Sequence, residues 1–401
     1  MKKICLIIYL LSIFVLSNFK VYAVNEEDVV KENENVKETK STLDLAKNAT
    51  SAIMLEASTG EIIFQKNVNE KRPPASMTKM MSMLLIMERI DNKTLSLTDE
   101  VTISENAANM GGSQVFLQAN ETYKVEELLK GIAIASGNDA VVAMAEKVSG
   151  SVSDFVALMN EKAKSLGLTN TKFLNPHGLD TEGHVTTAHD MAIIARELIK
   201  HTSILKFTSI YEDYLKKNDG SSIWLVNTNK LVRFYDGVDG LKTGFTKNAG
   251  YCLTSTAKKN NTRFITVVMG SETSDKRSSD TVNMLNYGFN TYETKILLKS
   301  SDSLGKKRVM LSNIEEVDLN LKNDYVKLLK KDEQMPKYSY SIATDSLVAP
   351  IKKGDSIGKI NVMENNKIIM TIDATTTKDI NKANIFIVYY RNLLDIISGN
   401  I

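Results

Sequence analysis

Cysteine is almost absent from this 401-residue chain, which has only Cys5 and Cys252. Cys5 lies in an apolar run, 4–16, that follows Lys2 and Lys3 and is closed by Val21, Tyr22 and Ala23. A basic start, a short apolar core and a small final residue are the layout of a cleavable export signal over 1–23. Cys5 stands inside that run and not at its end, which argues against a lipoprotein anchor. Cleavage would leave Cys252 alone, excluding an internal disulfide, and a lone Cys in a strand-like segment reads as a small buried hydrophobe. The apolar run of the leader is too short for a membrane-spanning helix. An excess of charge of one sign is missing as well. Residues 1–23 contain Lys2, Lys3 and Lys20 and no acid, so the remainder carries 50 − 3 = 47 basic against 48 acidic residues, a formal charge of −1. Such a balance offers no electrostatic footprint for nucleic acid. Histidine is scarce, at 4 residues, and His184 and His189 are spaced too widely for a His-Glu-x-x-His zinc site. Neither a metal nor another cofactor is expected.

What is present is an ordinary globular composition, 43% hydrophobic and 24% charged, in a chain long enough for more than one core. Residues 24–45 are polar, rich in acids and lysine and free of aromatics, and read as a flexible leader. Two β-rich runs, 51–56 and 61–67, joined through Ala57, Ser58, Thr59 and Gly60, signal a hairpin. A helical stretch follows from 76 to about 167, and three strand-like runs come late, at 238–243, 251–258 and 263–270. The simplest assembly joins the early hairpin and the late strands in one antiparallel sheet with the helices packed on it, an α+β domain over 46–290. Short alternating runs at 308–311, 317–321, 356–362 and 367–372 then predict a small all-β domain over 291–384. In 385–401, Arg391, Asn392, Asp395 and Ser398 recur at helical spacing among Phe386, Tyr389, Tyr390, Leu393 and Ile397. That pattern suits either an amphipathic helix lying in a membrane interface or a terminal helix docked on the β domain.

Three short motifs carry the chemistry. Ser76, Met77, Thr78 and Lys79 open a run that is apolar nearly all round, so the helix it forms is buried. Ser76 and Lys79, three apart, share a face. A lysine on such a helix is expensive to bury. The pair reads either as an N-cap serine beside a snorkelling lysine or as a nucleophile beside its base. Lys79 serves as that base if it is neutral, a state that burial and a second cation such as Lys242 both favour. Ser136, Gly137 and Asn138 break a helical pattern between 125–135 and 140–148, with Asn138 and Asp139 as caps for the second helix. In company with the first motif, Ser136 becomes a proton relay and Asn138 a contact to substrate or Lys79. Lys242, Thr243 and Gly244 lie in a glycine-flanked strand, where an extended peptide could pair with the backbone. Lys242 and Thr243 would offer a charge and a hydroxyl to a carboxylate, and Gly244 would leave the approach unobstructed; an exposed edge lysine that discourages aggregation is the other reading.

The three motifs in this order are those of class A β-lactamases and penicillin-binding proteins. With Asn175, Pro176, His177, Gly178, Leu179, Asp180 and the run from Lys242 to Gly250, the chain resembles the serine D-Ala-D-Ala carboxypeptidases, the low-molecular-weight penicillin-binding proteins of peptidase family S11, from about Ala52 onward. The resemblance implies a β-lactamase/transpeptidase-like catalytic domain, then a small all-β domain and an amphipathic tail at the outer face of the cytoplasmic membrane. It implies an exported enzyme that removes the C-terminal D-alanine from peptidoglycan stem pentapeptides. Ser76 would form the acyl-enzyme, Lys79 would take its proton, and Ser136 would protonate the departing D-alanine. The N–H groups of Ser76 and Phe245 would form the oxyanion hole, each such donor contributing about 3 kcal/mol. Lys242, Thr243 and Arg277 would hold the terminal carboxylate, although Arg277 also reads as a solvated loop residue. His177 is taken as structural. No Glu-x-x-x-Asn stands where class A β-lactamases keep their deacylating carboxylate, so β-lactams are expected to inhibit covalently. A DD-endopeptidase or transpeptidase of the same fold, or a non-catalytic wall-binding scaffold, are the other readings.

Overall fold

A computed structural model describes residues 43–217 and 219–398. The expected export signal and nearly all of the expected leader lie outside the described residues, as does the end of the expected tail helix.

The structure is built on a five-stranded antiparallel sheet. Its strands are β1 (Ser51–Glu56), β2 (Ile62–Lys66), β7 (Val238–Thr246), β8 (Gly250–Lys259) and β9 (Thr262–Ser271), in the order β2-β1-β9-β8-β7. The first hairpin therefore joins the late strands, as the sequence predicts. β1 is buried along its whole length because both faces of the sheet are covered. Ile53 and Leu55 of β1 and Ile265, Val267 and Met269 of β9 pack into the larger, helix-rich core. Ala52, Met54, Phe264 and Val268 point the other way, onto Met284 and Leu285. This is the period-two alternation of a strand buried on both faces.

The helices of the larger core are α1 (Lys79–Asp91), α2 (Val125–Ala133), α3 (Asn138–Ser149), α4 (Val152–Ser165) and α5 (Ala188–Leu198); α6 (Ser274–Thr291) covers the opposite face. The expected helical stretch 76–167 is interrupted by a small hairpin of β3 (Glu100–Thr102) and β4 (Thr122–Lys124). Strands of three residues leave too short a pattern to read against the helical periodicity around them. A second hairpin, β5 (Glu212–Lys216) with β6 (Ser222–Val226), was also not anticipated. It buries only Leu215 and Leu225 deeply, so its alternation is faint.

Beyond α6 the chain is β-rich. Its strands are β10 (Tyr292–Leu298), β11 (Lys306–Met310), β12 (Glu316–Asp318), β13 (Asn320–Leu321), β14 (Tyr325–Lys330), β15 (Tyr338–Ala343), β16 (Leu347–Val348), β17 (Ser356–Glu364) and β18 (Lys367–Thr375). A separate cluster that includes Val309, Leu319, Ile360, Val362 and Ile380 forms its core. Leu328 of β14 instead joins the core beneath α6.

The final helix, α7 (Ile385–Ser398), buries none of its residues. It is held by its polar side. The Arg391 guanidinium donates to the carbonyls of Ser312 (2.9 Å) and Ile314 (3.1 Å), and Asp395 pairs with Arg308. Phe386, Tyr389, Ile396 and Ile397 are 65–77% exposed. A helix docked by its apolar face would have buried these side chains. No helix among the described residues is long and apolar enough to cross a membrane.

Candidate active site

Ser76 lies in the 3₁₀ turn Ala75–Thr78, which runs directly into α1. Neither Ser76 nor Thr78 makes a side-chain cap bond there. Ala75, immediately before the serine, has φ +48°, a left-handed conformation that is strained for a residue with a Cβ. Lys79 is 0% exposed, so it does not snorkel to the surface. Its Nζ lies 3.1 Å from Ser76 Oγ, 2.6 Å from Asn138 Oδ1 and 2.7 Å from the His177 carbonyl oxygen.

Two of those three partners can only accept hydrogen bonds. Burial, and then the charge of Lys242, push the Lys79 pKa well below the ordinary lysine range, while Asp139 opposes the shift. The depressed pKa favours the neutral amine, which spends its two N–H bonds on Asn138 and His177. Its lone pair is then left facing the Ser76 hydroxyl, the geometry a base needs.

The turn that supplies the His177 carbonyl is tightly built. Asn175 Oδ1 accepts from the Gly178 N–H at 2.6 Å, and Ser82 Oγ donates to the Pro176 carbonyl at 2.7 Å. Gly178 has φ +91°, and a Cβ there would sit 1.8 Å from the Ala75 carbonyl oxygen. Only glycine lets this turn approach the serine so closely. His184 Nδ1 accepts from the Leu174 N–H at 2.9 Å, so Nε2 carries the proton and donates to Thr78 Oγ1 at 2.8 Å. Burial lowers the pKa of His184 to about 4 and that of His177 to about 3, the latter helped by the charge of Lys79. Both rings are therefore neutral at neutral pH, and neither contributes a cation to the site.

Ser136, two residues before Asn138, is buried with φ +65°, its Oγ without a hydrogen-bond partner. Gly137 is the N-cap of α3, without a side-chain cap bond. The expected capping by Asn138 is thus replaced: its Oδ1 is turned to Lys79, and its Nδ2 donates to the Gly111 carbonyl at 2.7 Å. Asp139, not singled out from the sequence as a site residue, is the buried brace behind it. Its carboxylate accepts from the N–H groups of Val115 (2.9 Å) and Leu117 (3.2 Å), tying the loop that contains Gly111 to the start of α3. A local pattern of one acid after Asn138 carries no signal for bonds made 22 and 24 residues away.

β7 forms the other wall, at the edge of the sheet. Lys242 is 1% exposed, which excludes the edge-lysine reading, and Arg277 is buried in the first turn of α6 and is not in a solvated loop. Burial and then the Arg277 charge bring the Lys242 pKa down to about 7. Among the described residues no carboxylate lies within ion-pair distance of Lys242 or Arg277, and Arg277 Nε has no acceptor. Two buried cations without a counter-ion make a receptor for an anion. Thr243 Oγ1 donates to Thr228 Oγ1 at 2.7 Å, which adds Thr228 to the site. A Cβ on Gly244 would lie 3.2 Å from the Ser76 N and 3.0 Å from the Pro74 carbonyl oxygen, so this glycine also makes room for the serine turn itself. Phe245 follows, 53% exposed and stacked on Tyr251 at 4.3 Å between centroids. Among the described residues no three His, Cys, Asp or Glu side chains converge as a metal site.

A buried lysine aimed at a serine, a second buried serine without a partner, and two unpaired cations, one on the edge strand and one on α6, define an acyl-transferring serine hydrolase for substrates with a terminal carboxylate. The sequence pattern of the D-alanyl-D-alanine carboxypeptidases, peptidase family S11, matches residues 35–273, and that of the penicillin-binding protein 5 C-terminal domain matches 292–382. The chain belongs to the S11 family of D-alanyl-D-alanine carboxypeptidases. It is 48% identical over 345 residues to the D-alanyl-D-alanine carboxypeptidase DacF of Bacillus subtilis, covering 86% of this chain and 89% of that one. The crystal structure of penicillin-binding protein 5 from Haemophilus influenzae superposes with a TM-score of 0.67 at 33% identity, over 84% of this chain and 98% of the other. Penicillin-binding protein D2 of Listeria monocytogenes in its ampicillin-bound form gives a TM-score of 0.55 at 31% identity, over 60% and 98%.

Proposed function

We propose that this protein is an exported, penicillin-sensitive DD-carboxypeptidase that removes the terminal D-alanine from peptidoglycan stem pentapeptides through a Ser76 acyl-enzyme. The observation that carries this reading is the wholly buried Lys79, held by two acceptor-only oxygens with Ser76 Oγ as its third neighbour. Neutral Lys79 takes the Ser76 proton as Oγ attacks the penultimate D-alanine carbonyl. The oxyanion is met by the N–H groups of Ser76, in its 3₁₀ turn, and of Phe245, on an edge strand that turns alternate N–H groups away from its neighbour. Ser136, whose hydroxyl is otherwise unpartnered, delivers a proton to the leaving amine. Lys242, Thr243 and Arg277 hold the terminal carboxylate; Asn138 positions Lys79, and Gly244 lets strand and serine approach. Water then cleaves the ester, and release of the second product regenerates Ser76.

In this reading residues 1–23 export the chain, 24–45 space it from the export site, 46–290 form the catalytic domain and 291–384 the β domain. The apolar side of α7 lies in the outer surface of the cytoplasmic membrane while Arg391 and Asp395 keep it fastened to the β domain.

Fluorescent penicillin and a stem pentapeptide test the proposal on the purified protein. Wild type should gain one covalent adduct and release D-alanine, and Ser76→Ala should do neither. A folded wild type that is not labelled would overturn the enzyme reading and favour the wall-binding scaffold. Labelling with cleavage of crosslinked dimers, and no release of D-alanine from pentapeptide, would favour the endopeptidase.

A further inference from the structure

The far end of the cleft, past Phe245, holds a carboxylate that the proposed reaction does not use. Thr246, the last residue of β7, donates its hydroxyl to Asp180 Oδ1 at 2.8 Å. That bond joins the β7 wall to the turn that follows His177. Asp180 is exposed, and among the described residues no Lys, Arg or His pairs with it. Leu179, 36% exposed, stands beside it on the opposite wall: a Cβ on Gly112 would lie 3.3 Å from Leu179 Cδ2 and 2.7 Å from Asn138 Nδ2, so the two side chains are neighbours over that glycine. Phe245 faces solvent from β7, firmly seated on Tyr251. Leu179 thus stands beside an exposed carboxylate that Thr246 ties to the edge strand and that no cation among the described residues pairs with.

The direction of the substrate follows from the roles proposed above, on which this inference rests. With the terminal carboxylate at Lys242 and Thr243 and the reacting carbonyl at the Phe245 N–H, the peptide runs antiparallel to β7. One residue advances an extended chain by about 3.3 Å. The residue preceding the two D-alanines therefore comes to lie beside Thr246 and Asp180. A side chain suited to that place lies on the Thr246 face of the strand and has an aliphatic stem for Leu179 and a cationic tip for Asp180. Crosslinking of stem peptides by acyl transfer requires a primary amine on a stem residue, and such an amine is charged at neutral pH only while it is uncrosslinked.

The geometry points to Asp180 as a specificity-determining residue that reads the free side-chain amine of the stem residue preceding D-Ala-D-Ala, so that uncrosslinked stems are preferred to amidated ones. The test compares two probes, Nα-acetyl-L-Lys-D-Ala-D-Ala and its Nα,Nε-diacetyl counterpart, and reads the ratio of their kcat/KM values. Wild type should favour the free amine by about five-fold, the upper range for an exposed ion pair, and 1 M salt should reduce that ratio towards one. Asp180→Asn keeps an oxygen for Thr246 and removes the charge, and its ratio should be about one. Thr246→Val removes the bond and keeps the charge, and its ratio should stay above one. Penicillin labelling verifies that each variant is folded; if Asp180→Asn is not labelled, the salt dependence of the wild-type ratio decides. A wild-type ratio of one, or a preference that survives Asp180→Asn or high salt, would overturn the inference. Failure of wild type to cleave either probe would instead overturn the carboxypeptidase reading.

Discussion

The catalytic part and the C-terminal β part of this chain treat charge in opposite ways. Among the described residues every buried acidic or basic side chain, namely Glu56, Lys79, Asp139, His184, Asp190, Lys242, Arg277 and Asp280, precedes α7 by more than a hundred residues. The β part buries apolar side chains and a few neutral polar ones, and its exposed helix keeps Phe386, Tyr389 and Ile397 outside. Burying a charge opposes folding unless it is paired or neutralised, whereas exposing an apolar helix forfeits hydrophobic stabilisation. Each region bears its own penalty, and the groups proposed to work are among those penalised: Lys79, Lys242 and Arg277 on a peptide, the helix on a membrane surface. Neither arrangement is explained by stability alone.

The largest effect should come from breaking the charge side of this contrast at Lys79. Lys79→Ala should lower the acylation rate on the order of 10²–10⁴-fold, the usual share of a general base, in stopped-flow measurements with a chromogenic β-lactam. Lys79→Arg should be no better, because a guanidinium stays protonated and cannot accept the serine proton. An arginine variant that retained most activity would remove Lys79 from the role of base.

A smaller and more diagnostic effect is expected at Lys242. Its positive charge helps to hold the Lys79 pKa down, so Lys242→Ala should let Lys79 keep its proton to higher pH. The acidic limb of the pH profile of acylation should then move to higher pH. In wild type, Lys242 itself loses its charge above about pH 7 in the free enzyme, so kcat/KM for carboxylate substrates should decline on the alkaline side. An unchanged acidic limb in Lys242→Ala would mean that burial alone sets the state of Lys79.

The smallest effect concerns the other region. Arg391→Ala removes the hydrogen bonds to the Ser312 and Ile314 carbonyls that fasten α7 to the β part. Hydrogen exchange of α7 amides should accelerate by about tenfold, in line with the loss of a charge-assisted hydrogen bond, while penicillin acylation is unaltered. Acylation that fell together with helix protection would contradict the separation drawn between the two regions.

Much of the fold was legible because it rests on short-range pattern. The strand runs at 51–56, 238–243, 251–258 and 263–270 each correspond to a strand of the sheet, and their sum suffices to predict one antiparallel sheet with helices on it. The hairpins β3–β4 and β5–β6 were not legible, since strands this short or this exposed leave little periodicity. The site was legible as three motifs, and the structure brings Ser76, Lys79 and Asn138 into direct contact. The supports of the site were hidden. The His177 carbonyl on Lys79, the Asp139 carboxylate under the Gly111 loop, Thr228 beside Thr243 and the Asp180–Thr246 bond are all made between residues distant in sequence.

The sequence by itself determined the chemistry available to this protein: a serine with a lysine one turn on, a second serine at a helix break, a Lys-Thr-Gly strand, and an amphipathic tail without cysteine cross-links. Periodicity and spacing are local properties, and they suffice for the type and order of elements. Only the tertiary structure decided that Lys79 is wholly buried, that two of its neighbours can only accept, and that Lys242 and Arg277 are left without a counter-ion. Only it decided that the tail helix holds the β part by its polar side. Desolvation and the number of charges nearby depend on what the rest of the chain packs around a group, and no window of sequence contains that information.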